Sequence, residues 1–416
     1  MMTEPLLTIH HSLAFPIPVL YHAGMKKICA ILSALCAFAN PAFADFSTPA
    51  KSAFLVDPVS GAVIVDKASD ILMPPSSMLK MMTLAVVFDA VKDGGLKMDE
   101  MLPVSENADY KNRAFGAASK ICLEKGQRIS VRDAILGVMV MSGGDASVVL
   151  AERLAGSEDA FTGKMLKKAR AIGMLESSFG NATGLTHPDN LMTSRELAML
   201  AQYLIDGHPD LYPMFATRTF EFGGYQNEWC RAWGKLKTSN YNKLLFIMPG
   251  ADGLKTGHTD AGGFGMTASA TRGGRRLIGV LNGMKAKDHN TLAREMKRLL
   301  DHGFDTTSTR AFYQPGDVLA RVPVWYGRKA TIDATIRKPF AVTLEKGQNI
   351  SGLRLLARYQ EPAVAPIKAG DELGEVIAEL NGRVIARAPL VAKEKVGKVI
   401  FVGRIIKNIK IIFGGS

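Results

Sequence analysis

The sequence predicts an α/β (α+β) domain, an antiparallel sheet flanked by helices, followed by a small all-β domain and a C-terminal amphipathic helix. Three observations predict it. An early apolar strand pair and a late group of Gly-punctuated strands enclose a long stretch of helical patterns. After about residue 308 the helical period vanishes. Near the end, residues 401–413 return to a helical period with one apolar and one basic side.

Composition sets the frame for these elements. The chain has 416 residues, 47% apolar and 22% charged, which is globular and excludes a disordered chain. Lys and Arg number 51 against 39 Asp and Glu, a net charge of +12 that favours anionic partners. Met25, Lys26 and Lys27 precede an apolar run over 28–39, which ends in Asn40-Pro41-Ala42-Phe43-Ala44. That order describes a secretory signal peptide cut after Ala44. The run is shorter than the roughly 20 residues of a membrane-spanning helix. Residues 1–44 are therefore read as extra N-terminal residues plus signal, and the protein is expected to be exported to the periplasm.

Residues 52–66 read as a hairpin turning at Asp57-Pro58-Val59-Ser60-Gly61. Pro74-Pro75-Ser76 opens a helix running from 77 to about 91, which stops at Asp93-Gly94-Gly95. Helical patterns follow over 131–156, with a break at Gly143-Gly144, and over 159–173 and 193–205. Strands are expected over 255–259, 265–271 and 277–281, then a closing helix over 292–301. The first domain thus covers 45–308. Short apolar runs at 318–324, 330–336, 340–344 and 353–357 alternate with turns, giving a small all-β domain over 309–392. Residues 393–416 are expected to form the amphipathic helix. At about 100° per residue, Phe401, Val402, Ile405, Ile406, Ile409, Ile412 and Phe413 share an arc of roughly 140°, with Arg404, Lys407, Asn408 and Lys410 on the other side and Ile411 as the one misfit. Such a helix suits an anionic inner-membrane surface; a final β-strand is the alternative.

Chemistry enters at Ser77-Met78-Leu79-Lys80. Positions three apart on a helical turn share a face, so the Lys80 amine can sit beside the Ser77 hydroxyl. Serine needs a base, and an amine is a base only when neutral, a state that burial and a nearby cation favour. Lys255-Thr256-Gly257 supplies that cation on a strand, and Gly257 lets a substrate backbone approach. Ser142 precedes Gly143 and Gly144 in the helix break, where a second hydroxyl can relay a proton. Of the four cysteines, Cys122 and Cys230 lie outside the signal, and they are read as either a disulfide or two free thiols. No His or Cys cluster has metal-ligand spacing, and no cofactor is called for. The basic face of Lys164, Lys167, Lys168 and Arg170 is read as solvated rather than as a nucleic-acid site. His187, His208, His289 and His302 are read as surface or turn residues.

The ordered set Ser77-x-x-Lys80, Ser142-Gly143-Gly144 and Lys255-Thr256-Gly257-His258 resembles the penicillin-recognising serine enzymes. Within them the chain is similar to the low-molecular-mass penicillin-binding proteins, the D-alanyl-D-alanine carboxypeptidases. Phe179-Gly180-Asn181-Ala182-Thr183-Gly184-Leu185 and Asn242-Lys243-Leu244-Leu245 add to the likeness, as do the trailing β domain and amphipathic tail. The resemblance implies a penicillin-binding/β-lactamase-like first domain acting on peptidoglycan stem peptides, with β-lactams as covalent inhibitors. It implies Ser77, Lys80 and Ser142 as catalytic residues. Lys255, Thr256, Gly257, the backbone of His258, and Gly144 are implied to bind substrate. The departure is Gly144, where the family pattern is Ser-x-Asn, and Asn181 is a candidate to supply the missing amide. Two rivals remain: a serine β-lactamase, and a catalytically weakened wall-binding homologue.

Overall fold

The computed structural model describes residues 45–116, 118–223 and 239–399. They belong to two compact units divided between Thr307 and Ser308. The expected signal segment, Cys29, Cys36, Cys230 and residues 400–416 lie outside the described residues.

In the first unit, β1 (Ser52–Val56) and β2 (Val63–Lys67) form the expected hairpin. Asp57 Oδ1 holds its turn by accepting the N–H groups of Val59 and Ser60 at 3.0 Å each. Helices α1 (Lys80–Lys92), α2 (Val131–Val140), α3 (Gly144–Ala155), α4 (Glu158–Ala171) and α5 (Ser194–Gly207) follow. A short pair, β3 (Met101–Pro103) and β4 (Arg128–Ser130), lies between α1 and α2. Ser130, Ser157 and Thr193 cap α2, α4 and α5, each side chain accepting a first-turn N–H. After α6 (Leu244–Ile247) come β5 (Ala251–Thr259), β6 (Gly263–Arg272), β7 (Arg275–Met284) and α7 (His289–Thr306).

The five long strands make one antiparallel sheet in the order β2-β1-β7-β6-β5, which leaves β5 at an edge. Strand alternation divides the core. Leu277 and Leu281 of β7 pack with Leu292, Met296 and Leu299 of α7. Ile278 and Val280 point the other way, into the larger helical cluster with Met82, Leu197 and Leu200. The sheet is thus buried on both faces, and the edge strand β5 is where a groove can open.

The second unit is all-β. Strands β8 (Thr307–Tyr313) to β15 (Arg383–Ala392) build a six-stranded sheet and a separate two-stranded one. Val322, Ile332, Ala334 and Leu390 form part of its core. One expectation fails here. Residues 393–399 are not helical: Val396 pairs with Ile367 and Lys398 with Gly327. Val396 is buried in the β core, so its side chain is spent before any amphipathic helix can begin. Among the described residues no helix is long and apolar enough to cross a membrane. Cys122 is disulfide-bonded, and its partner lies outside the described residues.

Candidate active site

Ser77 sits on the 3₁₀ turn Ser76–Leu79 that leads into α1. Met78, Leu79, Met81 and Met82 are fully buried and anchor this turn, so its polar residues face one direction. Lys80 Nζ lies 3.0 Å from Ser77 Oγ. Lys80 also donates to the carbonyl of Thr183. It is 3% exposed, and burial lowers its pKa to about 7 against the pull of Asp145 and Glu158. A large share of the amine is therefore neutral near pH 7, as a base for Ser77 requires.

The Thr183 carbonyl is held by a built turn. Asn181 Oδ1 accepts the N–H groups of Thr183 and Gly184 at 3.2 and 2.8 Å, and Asn181 Nδ2 donates to Leu185 O. The amide of Asn181 is thus spent inside its own turn and does not replace the missing side chain at 144. Gly184 has φ +68, and a Cβ there would lie 2.2 Å from Ser76 O, so the turn packs directly on the nucleophile's backbone.

The edge strand β5 forms one wall. A Cβ on Gly257 would come within 2.7 Å of Pro75 O and 3.0 Å of Ser77 N, so glycine brings this strand against the serine. Thr256, Gly257 and His258 line a cavity of about 580 Å³ together with Ser77, Lys80, Ser142 and Gly144. Lys255 does not line it. It is 1% exposed, and its Nζ donates to Thr256 O at 2.9 Å. Burial, reinforced by the charge of Lys80, holds its pKa well below the ordinary lysine value. Lys255 thus stands behind the wall rather than as an exposed hook.

Ser142 adopts φ +58 between α2 and α3. Its Oγ is buried and has no hydrogen-bond partner among the described residues. An orphaned hydroxyl at a cavity wall is available to a substrate proton. The next residues are positioned by Asp145, which is fully buried. Its carboxylate accepts the N–H groups of Ile121 and Leu123 at 3.0 Å and of Ala146 at 2.9 Å. This pins the 119–123 segment to the start of α3, and Gly144 N–H donates to Ser119 O at 2.9 Å.

Among the cavity residues that the sequence did not point to are Phe115, Ser119, Tyr241 and His289. His289, expected at the surface or in a turn, stacks on Tyr241 at 5.2 Å and 6° between planes. Burial and the cations Lys255, His258 and Lys243 lower its pKa to about 4. His208 is likewise not a surface residue: it is 3% exposed, with Nε2 3.1 Å from Asp89 Oδ1. Only Tyr241 carried a signal, since it lies beside the quoted Asn242-Lys243-Leu244-Leu245. Among the described residues no group of three His, Cys, Asp or Glu side chains could hold a metal ion.

This geometry can be set against known proteins. Residues 39–287 match the model of the D-alanyl-D-alanine carboxypeptidase family. The chain belongs to the D-alanyl-D-alanine carboxypeptidase family. Residues 308–398 match the C-terminal domain of penicillin-binding protein 5. The carboxypeptidase DacF of Bacillus subtilis is 32% identical, over 88% of this chain and 93% of its own length. DacC of Escherichia coli is 32% identical over 92% of this chain and 95% of its own. Penicillin-binding protein 5 of Haemophilus influenzae has a similar solved structure, with TM-score 0.76 and 30% identity over 86% of this chain and all of that one. Penicillin-binding protein D2 of Listeria monocytogenes, solved in an ampicillin-bound form, is 26% identical with TM-score 0.53 over 63% of this chain and 99% of its own. The carboxypeptidase thus has the penicillin-binding, β-lactamase-like domain expected from its motifs. Its family membership does not favour the β-lactamase or the silent wall-binding alternative.

Proposed function

We propose that this carboxypeptidase removes the terminal D-Ala from peptidoglycan stem peptides through an acyl-enzyme on Ser77. The observation that carries the reading is the buried Lys80 amine, near neutrality and 3.0 Å from the Ser77 hydroxyl in a cleft. Lys80 takes the Ser77 proton as Oγ attacks the penultimate D-Ala carbonyl carbon. The N–H groups of Ser77 and His258 receive the negative oxygen, as free amides at a helix start and a strand edge suit. Ser142 passes a proton to the departing amine, and the C–N bond breaks. Water then hydrolyses the ester, which restores Ser77 and releases a peptide shorter by one residue. The terminal carboxylate meets Thr256 on the β5 wall, with Lys255 buried behind it. β-Lactams enter the same path and stop at the ester; the ampicillin-bound relative supports this.

Labelling with fluorescent penicillin tests the reading. The unmutated protein gains one covalent adduct, located by mass spectrometry on the peptide holding Ser77, and Ser77→Ala gains none. No adduct on the unmutated protein overturns the mechanism.

The signal-like segment before Asp45 and the basic, apolar sequence after residue 399 support export and attachment to the outer face of the cytoplasmic membrane. Since residues 393–399 belong to the β unit, the deletion that tests attachment starts at residue 400. The shortened protein partitions into the soluble periplasmic fraction; unchanged sedimentation with membranes rejects the anchor.

A further inference from the structure

Gly144 removes a side chain from the cleft wall, and the structure shows what stands there instead. A Cβ built on Gly144 would lie 3.3 Å from Cδ1 and Cε1 of Phe115 and 3.4 Å from Ser119 O. An asparagine would place a whole carboxamide beyond a Cβ already crowded by a ring and a carbonyl. Phe115 is 3% exposed, held in the core, and cannot simply swing into solvent. The Phe115 ring and the Ser119 carbonyl crowd the wall at this point.

Two hydroxyls lie beside it. Ser119 is tied to Gly144 through the 2.9 Å backbone hydrogen bond. Tyr241 is tied to the same place from the other side, its N–H donating to Val140 O at 3.3 Å, two residues before Ser142. Both residues line the cleft. They face each other: burial raises the Tyr241 phenol, and the Ser119 side chain opposes that shift. The stack on His289 sets the Tyr241 ring plane. A serine and a tyrosine hydroxyl each both donate and accept, so together they can hold a substrate amide as one carboxamide would.

We propose that Ser119 and Tyr241 bind the amide on the acyl side of the substrate, a task that residue 144 cannot perform, with Phe115 filling the space of the absent side chain. This rests on the carboxypeptidase reading and adds two binding residues to it. Recognition has moved from the start of α3 to two neighbouring segments.

The test compares two penicillins on the full protein. Benzylpenicillin carries an acylamido group beside the β-lactam, and 6-aminopenicillanic acid lacks it. In Tyr241→Phe combined with Ser119→Ala, the ratio of their acylation rates falls about tenfold. Tyr241→Phe keeps the stack on His289, so a merely structural loss slows both compounds alike. An unchanged ratio, with or without a common slowing, overturns the proposal. A second arm uses Gly144→Asn. Alone it slows benzylpenicillin, and adding Phe115→Ala restores the rate; a faster reaction from Gly144→Asn alone would mean the place was vacant and also overturns the proposal. An unmutated protein that reacts with neither compound sinks the carboxypeptidase reading itself, a result distinct from both.

Discussion

Ser77 and Lys80 meet because they stand three positions apart on one turn, 3.0 Å between their polar atoms. Phe115, Ser119, Gly144 and Tyr241 meet because separate segments are pinned together by the buried Asp145 carboxylate and a few backbone hydrogen bonds. The first arrangement is local and tolerates little variation, since one helical turn dictates it. The second is assembled, and substitutions in several segments can remodel it without disturbing the nucleophile. In this chain a glycine at 144 stands next to an intact Ser77-x-x-Lys80.

Breaking the local region has the larger effect. Lys80→Met removes the base, and acylation by benzylpenicillin falls about 10³-fold in stopped-flow measurements. The pH profile of the unmutated enzyme sharpens this. Burial puts the Lys80 pKa at about 7. Below that pH the amine is mostly protonated and cannot accept the Ser77 proton. The acylation rate therefore climbs about tenfold per pH unit up to about pH 7 and then levels off. A flat profile from pH 5 to 9 would remove Lys80 as the base.

The assembled region responds less sharply. Asp145→Asn deprives buried N–H groups of a charged acceptor, and urea unfolding shows a loss of about 3 kcal/mol. Acylation slows by roughly tenfold as the 119–123 segment loosens over the cleft. An Asp145→Asn protein of unchanged stability would refute the pinning role. The smallest effect belongs to the β5 wall. His258 contributes its backbone, and its ring is exposed against Phe264. His258→Ala changes D-Ala release by no more than about twofold in an amino-acid oxidase assay.

This contrast also explains what the sequence made legible. The hairpin at 52–66, α1 to α5 and β5 to β7 announce themselves through local periodicity and caps. So do Ser77 and Lys80, and Gly257 beside them. Pairs as short as β3 and β4 have too few residues to show a period. Phe115 and Ser119 lie far from Gly144 in the chain and carry no motif, so only tertiary packing exposes them. His289 misled because a lone histidine near a helix start has no pattern, while its meaning comes from Tyr241. The tail misled at 393–399 because the helical spacing lies at 401–413, and carrying the helix back from there covers a stretch whose Val396 completes a β core.

Ser142 and Ser76 share the left-handed backbone region, at φ +58 and φ +50. For residues bearing a Cβ this costs roughly 1–2 kcal/mol each. Glycine at either position would relax the chain and could raise the melting temperature. It would also delete the Ser142 hydroxyl, or the Ser76 hydroxyl that lies 2.9 Å from Thr259 Oγ1. Thermostabilised variants selected without regard to turnover should therefore accumulate glycine at these two positions and lose catalytic power as they do so.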